Sequence, residues 1–189
     1  VLVMLMGNGS EKGDVGIARY YAMRGKLEDV DEGHVGYTAL TRASIGGYKD
    51  IVEALLAAGA DKEKADGQGC TALMRAAMEG HIEVVEALLA AGADTEKADG
   101  QGYTALMRAA MKGHIKVAEA LLAAGADTEK ADGQGYTALM RAAIKGHIRV
   151  AIALVAAGAD TEKLDSRSRT ALAHAQGKQA IVQLLQSTD

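Results

Sequence analysis

The sequence predicts an all-α fold, a solenoid of stacked helix-turn-helix units joined by β-hairpin loops. Three observations carry this expectation. Residues 66–98, 99–131 and 132–164 read almost letter for letter alike at a spacing of 33 residues, a period of the kind that stacked-repeat architectures show. Each unit holds two short runs with apolar residues at three- and four-residue steps, each closed by a glycine. The 189 residues include no Trp, Phe or Pro, so small aliphatic side chains must do the packing, which suits short helices lying close together.

Residues 1–13 read as a flexible lead-in, apolar over Val1 to Met6 and glycine-rich beyond. Residues 14–32, with Ala18, Tyr21, Ala22 and Gly25 ahead of Leu27 and Val30, read as a degenerate N-terminal capping unit. Too little chain separates Gly25 from Gly36 for a full second helix and hairpin. Four units follow, over 33–65, 66–98, 99–131 and 132–164, and the second shows their internal logic. Asp66, Gly67, Gln68 and Gly69 form a turn signal, since the glycines accept positive φ and the aspartate can hydrogen-bond its own turn. Thr71 fits an N-cap, and Leu73, Ala76 and Ala77 follow at helical spacing. Gly80 stops this helix as a left-handed C-cap. His81 restarts the chain, Ile82, Val85, Leu88 and Leu89 form the stripe of a second helix, and Gly92 ends it. Residues 93–98 then lead as an extended hairpin into the next Asp-Gly-Gln-Gly turn. Residues 165–189 keep the two-helix pattern with a shortened first helix, and Gln176, Gln179, Gln183 and Gln186 suit a solvent-facing C-terminal cap. All of these units form a single solenoid domain. Helices of two to three turns fall below the roughly 12–15 residues at which an isolated helix is marginal in water, so only stacking holds them.

Composition narrows the function classes. The net charge is −4, a mildly acidic balance that argues against a dedicated nucleic-acid binder, which usually carries a basic stripe to neutralise phosphates; nucleic-acid binding through Arg108, Lys112, Arg141 and Lys145 with interleaved Tyr is the most distant reading. The single cysteine, Cys70, cannot form an internal disulfide, which points to a reducing, cytoplasmic or otherwise intracellular setting. No apolar run is long enough to span a bilayer, and Val1 to Met6 is too short for a secretory core segment, so a soluble chain without membrane insertion is expected. A first residue of Val points to a processed or trimmed piece of something larger.

No constellation of residues carries chemistry. His81, His114 and His147 recur in phase, but stacked units lie about 8–10 Å apart, whereas zinc requires ligands within about 2–2.3 Å. These histidines read as helix-entry residues, and no metal is expected. Gly7, Gly9, Gly13 and Gly16 with Lys12 lack the Gly-Lys-Ser/Thr ending and the flanking strand and helix of a phosphate loop. Asp94 and Asp99 and their copies lack the calcium-loop spacing and read as turn residues. Cys70 has no phased base beside it. The expectation is a chain that is not an enzyme, with no cofactor and no small-molecule substrate.

The unit resembles an ankyrin repeat. The matching residues are Asp66, Gly69, Thr71, Leu73, Ala76, Ala77, Gly80, His81, Val84 or Val85, Leu88, Leu89, Gly92, Ala93 and Asp94, recurring 33 residues on, and the phase holds from Tyr37 through Cys70, Tyr103 and Tyr136 to Arg169. The departures are that Thr-Ala-Leu-Met stands where the family usually has Thr-Pro-Leu-His, and that Glu63, Glu96, Glu129 and Glu162 stand where it often has Asn. The missing His removes a side chain that ties neighbouring hairpins together, and the missing Asn argues against carrying over the hydroxylation of some relatives.

The resemblance implies a protein partner, met by a concave groove of hairpin tips and first helices. Carried over position by position, the tips present Gln68, Gln101 and Gln134, then Tyr37, Cys70, Tyr103, Tyr136 and Arg169. The first helices add Arg42, Arg75, Arg108 and Arg141, then Met78, Met111 and Ile144, with Ile45 in the first unit. Glu79, Lys112 and Lys145 follow, with Gly46 in the first unit. Tyr, Arg and Met are types enriched in interfaces; the structural alternative is that the tyrosines pack on neighbouring tips and the arginines are solvated. Charge adds a direction, because Glu79, Glu83 and Glu86 give way to Lys112 and Lys116 and then to Lys145 and Arg149, which would orient a partner of opposite gradient. The near-identical Gly-Gln-Gly-Tyr tips store little address information, however. The leading function is therefore a non-enzymatic protein-protein interaction module, set beside a structural scaffold or assembly subunit docking through its ends and outer helices, including Ile152 and Leu164. A designed or consensus-like scaffold without a natural partner is a further alternative, as is a fragment whose chemistry lies in a missing domain.

Overall fold

A computed structural model describes residues 36–187. The lead-in over 1–13, the capping unit over 14–32 and the first residues of the unit over 33–65 lie outside the described residues. The helices run in pairs: α1 (Ala39–Ile45) and α2 (Lys49–Ala57), α3 (Ala72–Glu79) and α4 (Ile82–Ala90), α5 (Ala105–Lys112) and α6 (Ile115–Ala123), α7 (Ala138–Lys145) and α8 (Ile148–Ala156), α9 (Ala171–His174) and α10 (Gln179–Gln186). First helices pack on first helices and second on second along the chain, giving two layers with a shared core between them.

Every first helix starts at a threonine whose hydroxyl oxygen accepts an orphan backbone N–H. Thr38 takes that of Thr41 (3.0 Å), Thr71 that of Met74 (3.4 Å), Thr104 that of Met107 (3.3 Å) and Thr137 that of Met140 (3.3 Å). The alanines that follow let the helices approach closely, and Leu73, Met74, Leu106, Met107, Leu139 and Met140 are fully buried between them. The methionines thus occupy dry space where the related pattern has a polar histidine, and ask for no hydrogen-bond partner. Second helices contribute Leu55, Leu88, Leu121 and Leu154, each fully buried and each contributing about 1.5–3 kcal/mol by removal from water.

The connecting loops are not β-hairpins. Among the described residues there is no strand, and the reason lies in the aspartate that opens each loop. Oδ1 of Asp99 accepts from the backbone N–H groups of Gln101 (2.8 Å) and Tyr103 (3.1 Å), and Asp132 does the same for Gln134 (2.8 Å) and Tyr136 (3.1 Å). These side-chain bonds occupy amides that a ladder would use. Two short backbone bonds remain in each, as from Asp99 N–H to the Tyr103 carbonyl (3.1 Å) and from Gly102 N–H to the Asp99 carbonyl (2.9 Å), and single bonds join some adjacent loops, as from Gly133 N–H to the Gln101 carbonyl (3.1 Å). Isolated bonds of this kind do not build a strand.

Polar ties repeat at every full junction. The His81 ring Nε2 donates to the Ile45 carbonyl (2.9 Å), His114 to Met78 (3.1 Å) and His147 to Met111 (3.2 Å), so each histidine takes up a carbonyl near the end of the preceding unit's first helix. On the loop side, Oε1 of Glu63, Glu96 and Glu129 accepts from the N–H of Asp94, Asp127 and Asp160, each at 2.9 Å.

Gly80 serves two demands at once. Its φ is +82°, and a Cβ there would stand 2.6 Å from Nδ1 of His114 in the next unit. Gly92, at φ +74°, has open space instead. Gly92→Ala is expected to cost about 1–2 kcal/mol from the left-handed backbone alone. Gly80→Ala should cost roughly 2–4 kcal/mol, because the displaced histidine adds an overpacking term. Urea unfolding of the two variants measures the difference, and equal losses would remove the histidine contact from the explanation.

Candidate functional site

Sixteen of the twenty residues carried over to a recognition face fall into three layers. At the loops, Gln68, Gln101 and Gln134 are exposed, while Tyr37, Tyr103 and Tyr136 are half-buried behind them. On the first helices Arg75 is buried, and Arg42, Arg108 and Arg141 are half-buried. Toward the far ends of those helices Met78, Met111 and Ile144 are half-buried, and Glu79, Lys112 and Lys145 are exposed.

The arginine column is neither solvated nor free. Nε of Arg75 donates to Oδ2 of Asp66 (2.7 Å), Nε of Arg141 donates to Oδ2 of Asp132 (2.9 Å), and Arg108 pairs through Nη2 with Asp99. The same carboxylates close the loops with their other oxygen, so a single aspartate locks a loop to the helix that follows it. Each guanidinium also lies against tyrosine. Arg75 sits 5.1 Å from the Tyr37 ring centre, and Arg141 lies between Tyr103 (4.9 Å) and Tyr136 (4.3 Å). Such cation–π contacts contribute about 0.5–1 kcal/mol each when partly exposed. Since Tyr37 and Tyr103 belong to the preceding unit, the stack ties units together. Arg42, whose own unit is described only from Gly36, contacts the Tyr37 ring at 5.3 Å.

Cys70 interrupts this ladder. It is buried, with no ring to offer Arg108, and Nε of Arg108 is buried without a hydrogen-bond partner. The Cys70 Sγ lies 3.8 Å from Oδ2 of Asp99, and burial pushes its thiol pKa up, which disfavours the thiolate that a nucleophile needs.

At the C-terminal end His174 takes the arginine position and donates through Nε2 to Asp165 (2.8 Å), while Arg169 donates to Asp165 and, through Nη2, to the Tyr136 hydroxyl (2.8 Å). Burial alone would raise the Asp165 carboxyl, but hydrogen bonds from the Arg167 N–H and from His174 and Arg169 outweigh it and hold the group well below the usual carboxylate range.

Sequence reasoning missed three pairings. The aspartate–arginine lock was available as a constant nine-residue spacing, Asp66 to Arg75, Asp99 to Arg108 and Asp132 to Arg141. The histidine and glutamate ties reach 36 residues back and 31 residues on, and only the phase of the pattern hinted at them. Among the described residues no three His, Cys, Asp or Glu side chains are grouped as metal ligands, and no helix is long and apolar enough to cross a membrane.

Comparison with known families gives the same architecture a name. The family model described as Ankyrin repeats (3 copies) matches residues 8–99, 58–132, 95–165 and 125–189. The chain belongs to the ankyrin-repeat family. Ankyrin repeats generally mediate protein-protein interactions, and proteins of this family are characteristically non-catalytic scaffolds. No curated protein matches the chain.

In this ankyrin-repeat chain the Asp165 lock should contribute stability above the carboxyl's unfolded value, about pH 4, and lose it as pH falls toward the depressed folded value. Asp165→Asn is therefore expected to lower the urea midpoint at pH 7, with the deficit shrinking as the solution is taken down through pH 3. A deficit independent of pH would contradict this assignment.

Proposed function

We propose that the chain is a non-enzymatic protein-binding module whose partner lies along the exposed loop glutamines and the outer ends of the first helices. The observation that carries this reading is the register of the half-buried and exposed pairs Met78 and Glu79, Met111 and Lys112, and Ile144 and Lys145 on three consecutive, tightly stacked helices. Apolar side chains left partly open beside charged ones, on rigid elements, have the character of an interface core and rim. Gln68, Gln101 and Gln134 extend that strip at the loops. Tyr37, Arg42, Arg75, Tyr103, Arg108, Tyr136 and Arg141 act behind it, holding loop and helix in fixed relation so that partner contacts cost little ordering.

A second reading, an assembly subunit docking by its outer surface, is favoured by Ile152 and Leu164. They are 49% and 54% exposed, and they stand where the preceding units carry Glu119 and Ala131.

The two readings separate on capture from the native source. The quadruple variant Gln68→Ala, Gln101→Ala, Gln134→Ala, Met111→Asp should lose the specific partner by about tenfold or more in retained amount, with its helical circular dichroism unchanged. Full retention by that variant, together with loss on Ile152→Ser and Leu164→Ser, would replace the module with the assembly subunit.

A further inference from the structure

We propose that the partner presents an acidic segment, anchored by an aliphatic side chain, to the edge where first helices end and second helices begin in the last three units. This rests on the reading of the chain as a protein-binding module and gives the partner's chemistry. The edge carries Lys112, Lys116, Lys145 and Arg149, all exposed, and the half-buried Lys178. None of these five side chains forms an ion pair among the described residues, although Lys49, Lys130 and Lys163 elsewhere do.

Lys116 and Arg149 are also placed against local electrostatics. They occupy the first turns of α6 and α8, where the helix dipole favours an acid and where α2 and α4 carry Asp50 and Glu83. Lys112 and Lys145 stand on the other side of the same turns, at the ends of α5 and α7. Lys178 joins them because its aliphatic stem lies along Gly146, the residue after Lys145, in the position that a histidine fills at earlier junctions. Lys112 and Lys145 suit the ends of α5 and α7, but Lys116 and Arg149 help no helix start and none of the five is paired internally among the described residues, so the run is placed to meet negative charge from outside.

A depression of about 270 Å³ opens at the start of this edge, where the unit over 66–98 meets the next, lined by Gly80, Ile82, Gly113, His114, Ile115 and Lys116 among others. It has room for one small aliphatic side chain, with Lys116 among the residues that line it. A protein segment fits this edge better than a nucleic acid does. The neighbouring unit places Glu79, Glu83 and Glu86 next in line, which repels a uniform polyanion, and the tyrosines that could stack bases are held against arginines at the loops.

The test is fluorescence anisotropy with the full chain and a short labelled Glu-rich peptide carrying a central Leu. Salt-dependent binding is expected, weakened by about tenfold or more in the Lys116→Glu, Arg149→Glu variant, and weakened also when the peptide's Leu is changed to Ser. This variant should fold, since it restores the acids that α2 and α4 carry, and unchanged circular dichroism checks that. Absence of peptide binding, equal binding by the variant, or tighter binding of a single-stranded oligonucleotide than of the peptide would overturn the inference. If the peptide fails while the glutamine and methionine variant still loses its native partner, the acidic segment falls and the module stands.

Discussion

A dry seam of alanine, leucine and methionine runs between each first helix and the next, and among the described residues no helix is long enough to persist without it. Leu73, Met74, Ala76 and Ala77 of one unit meet Leu106, Met107, Ala109 and Ala110 of the next, and all are buried. Because each unit has neighbours for a core and little of its own, the array behaves as a line of nearest-neighbour contacts. The polar ties follow the same line. Histidine to carbonyl, glutamate to amide and arginine to the preceding tyrosine each cross a junction, and each recurs wherever the neighbouring unit supplies the partner.

The aspartates at the loop openings set what the surface can offer. A carboxylate that closes its loop and clamps an arginine takes both groups out of circulation, since a buried pair broken at one partner leaves an uncompensated charge. Arg75, Arg108 and Arg141 therefore serve the scaffold, which leaves the glutamines at the loops and the ends of the first helices as the surface we propose for recognition. Variation accumulates there. Glu79 becomes Lys112 and Lys145, and Glu83 becomes Lys116 and Arg149, while the seam stays constant.

Much of this was legible in the residues because it is local. The threonine caps, the left-handed glycines and the two apolar stripes are determined within a few positions of themselves, and the period placed each copy. The loops were misread because a turn sequence rich in Asp and Gly serves a hairpin or a side-chain-closed loop equally well; only the three-dimensional path shows that Asp99 and Asp132 hold the amides a strand would need. The arginine pairings were hidden for a related reason. Residue type signals an interface, but whether Arg75 faces solvent or Asp66 depends on how the loop folds back over its helix. Cys70 is different again, since replacing a tyrosine removes the preceding unit's ring that Arg75 and Arg141 meet but Arg108 does not, a local mismatch that a list of matching residues does not reveal.

If junctions are interchangeable, the chain must tolerate removal of a whole unit in phase. Excising residues 99–131 joins Ala98 to Asp132, as Ala131 was joined before, and presents His147 to the Met78 carbonyl in place of Met111. Urea unfolding of the shortened chain is predicted to remain cooperative, with a lower midpoint and a denaturant slope reduced in proportion to the buried surface lost. A chain that fails to fold after this excision, or one that keeps the full midpoint, would contradict the account of stability carried by successive neighbours.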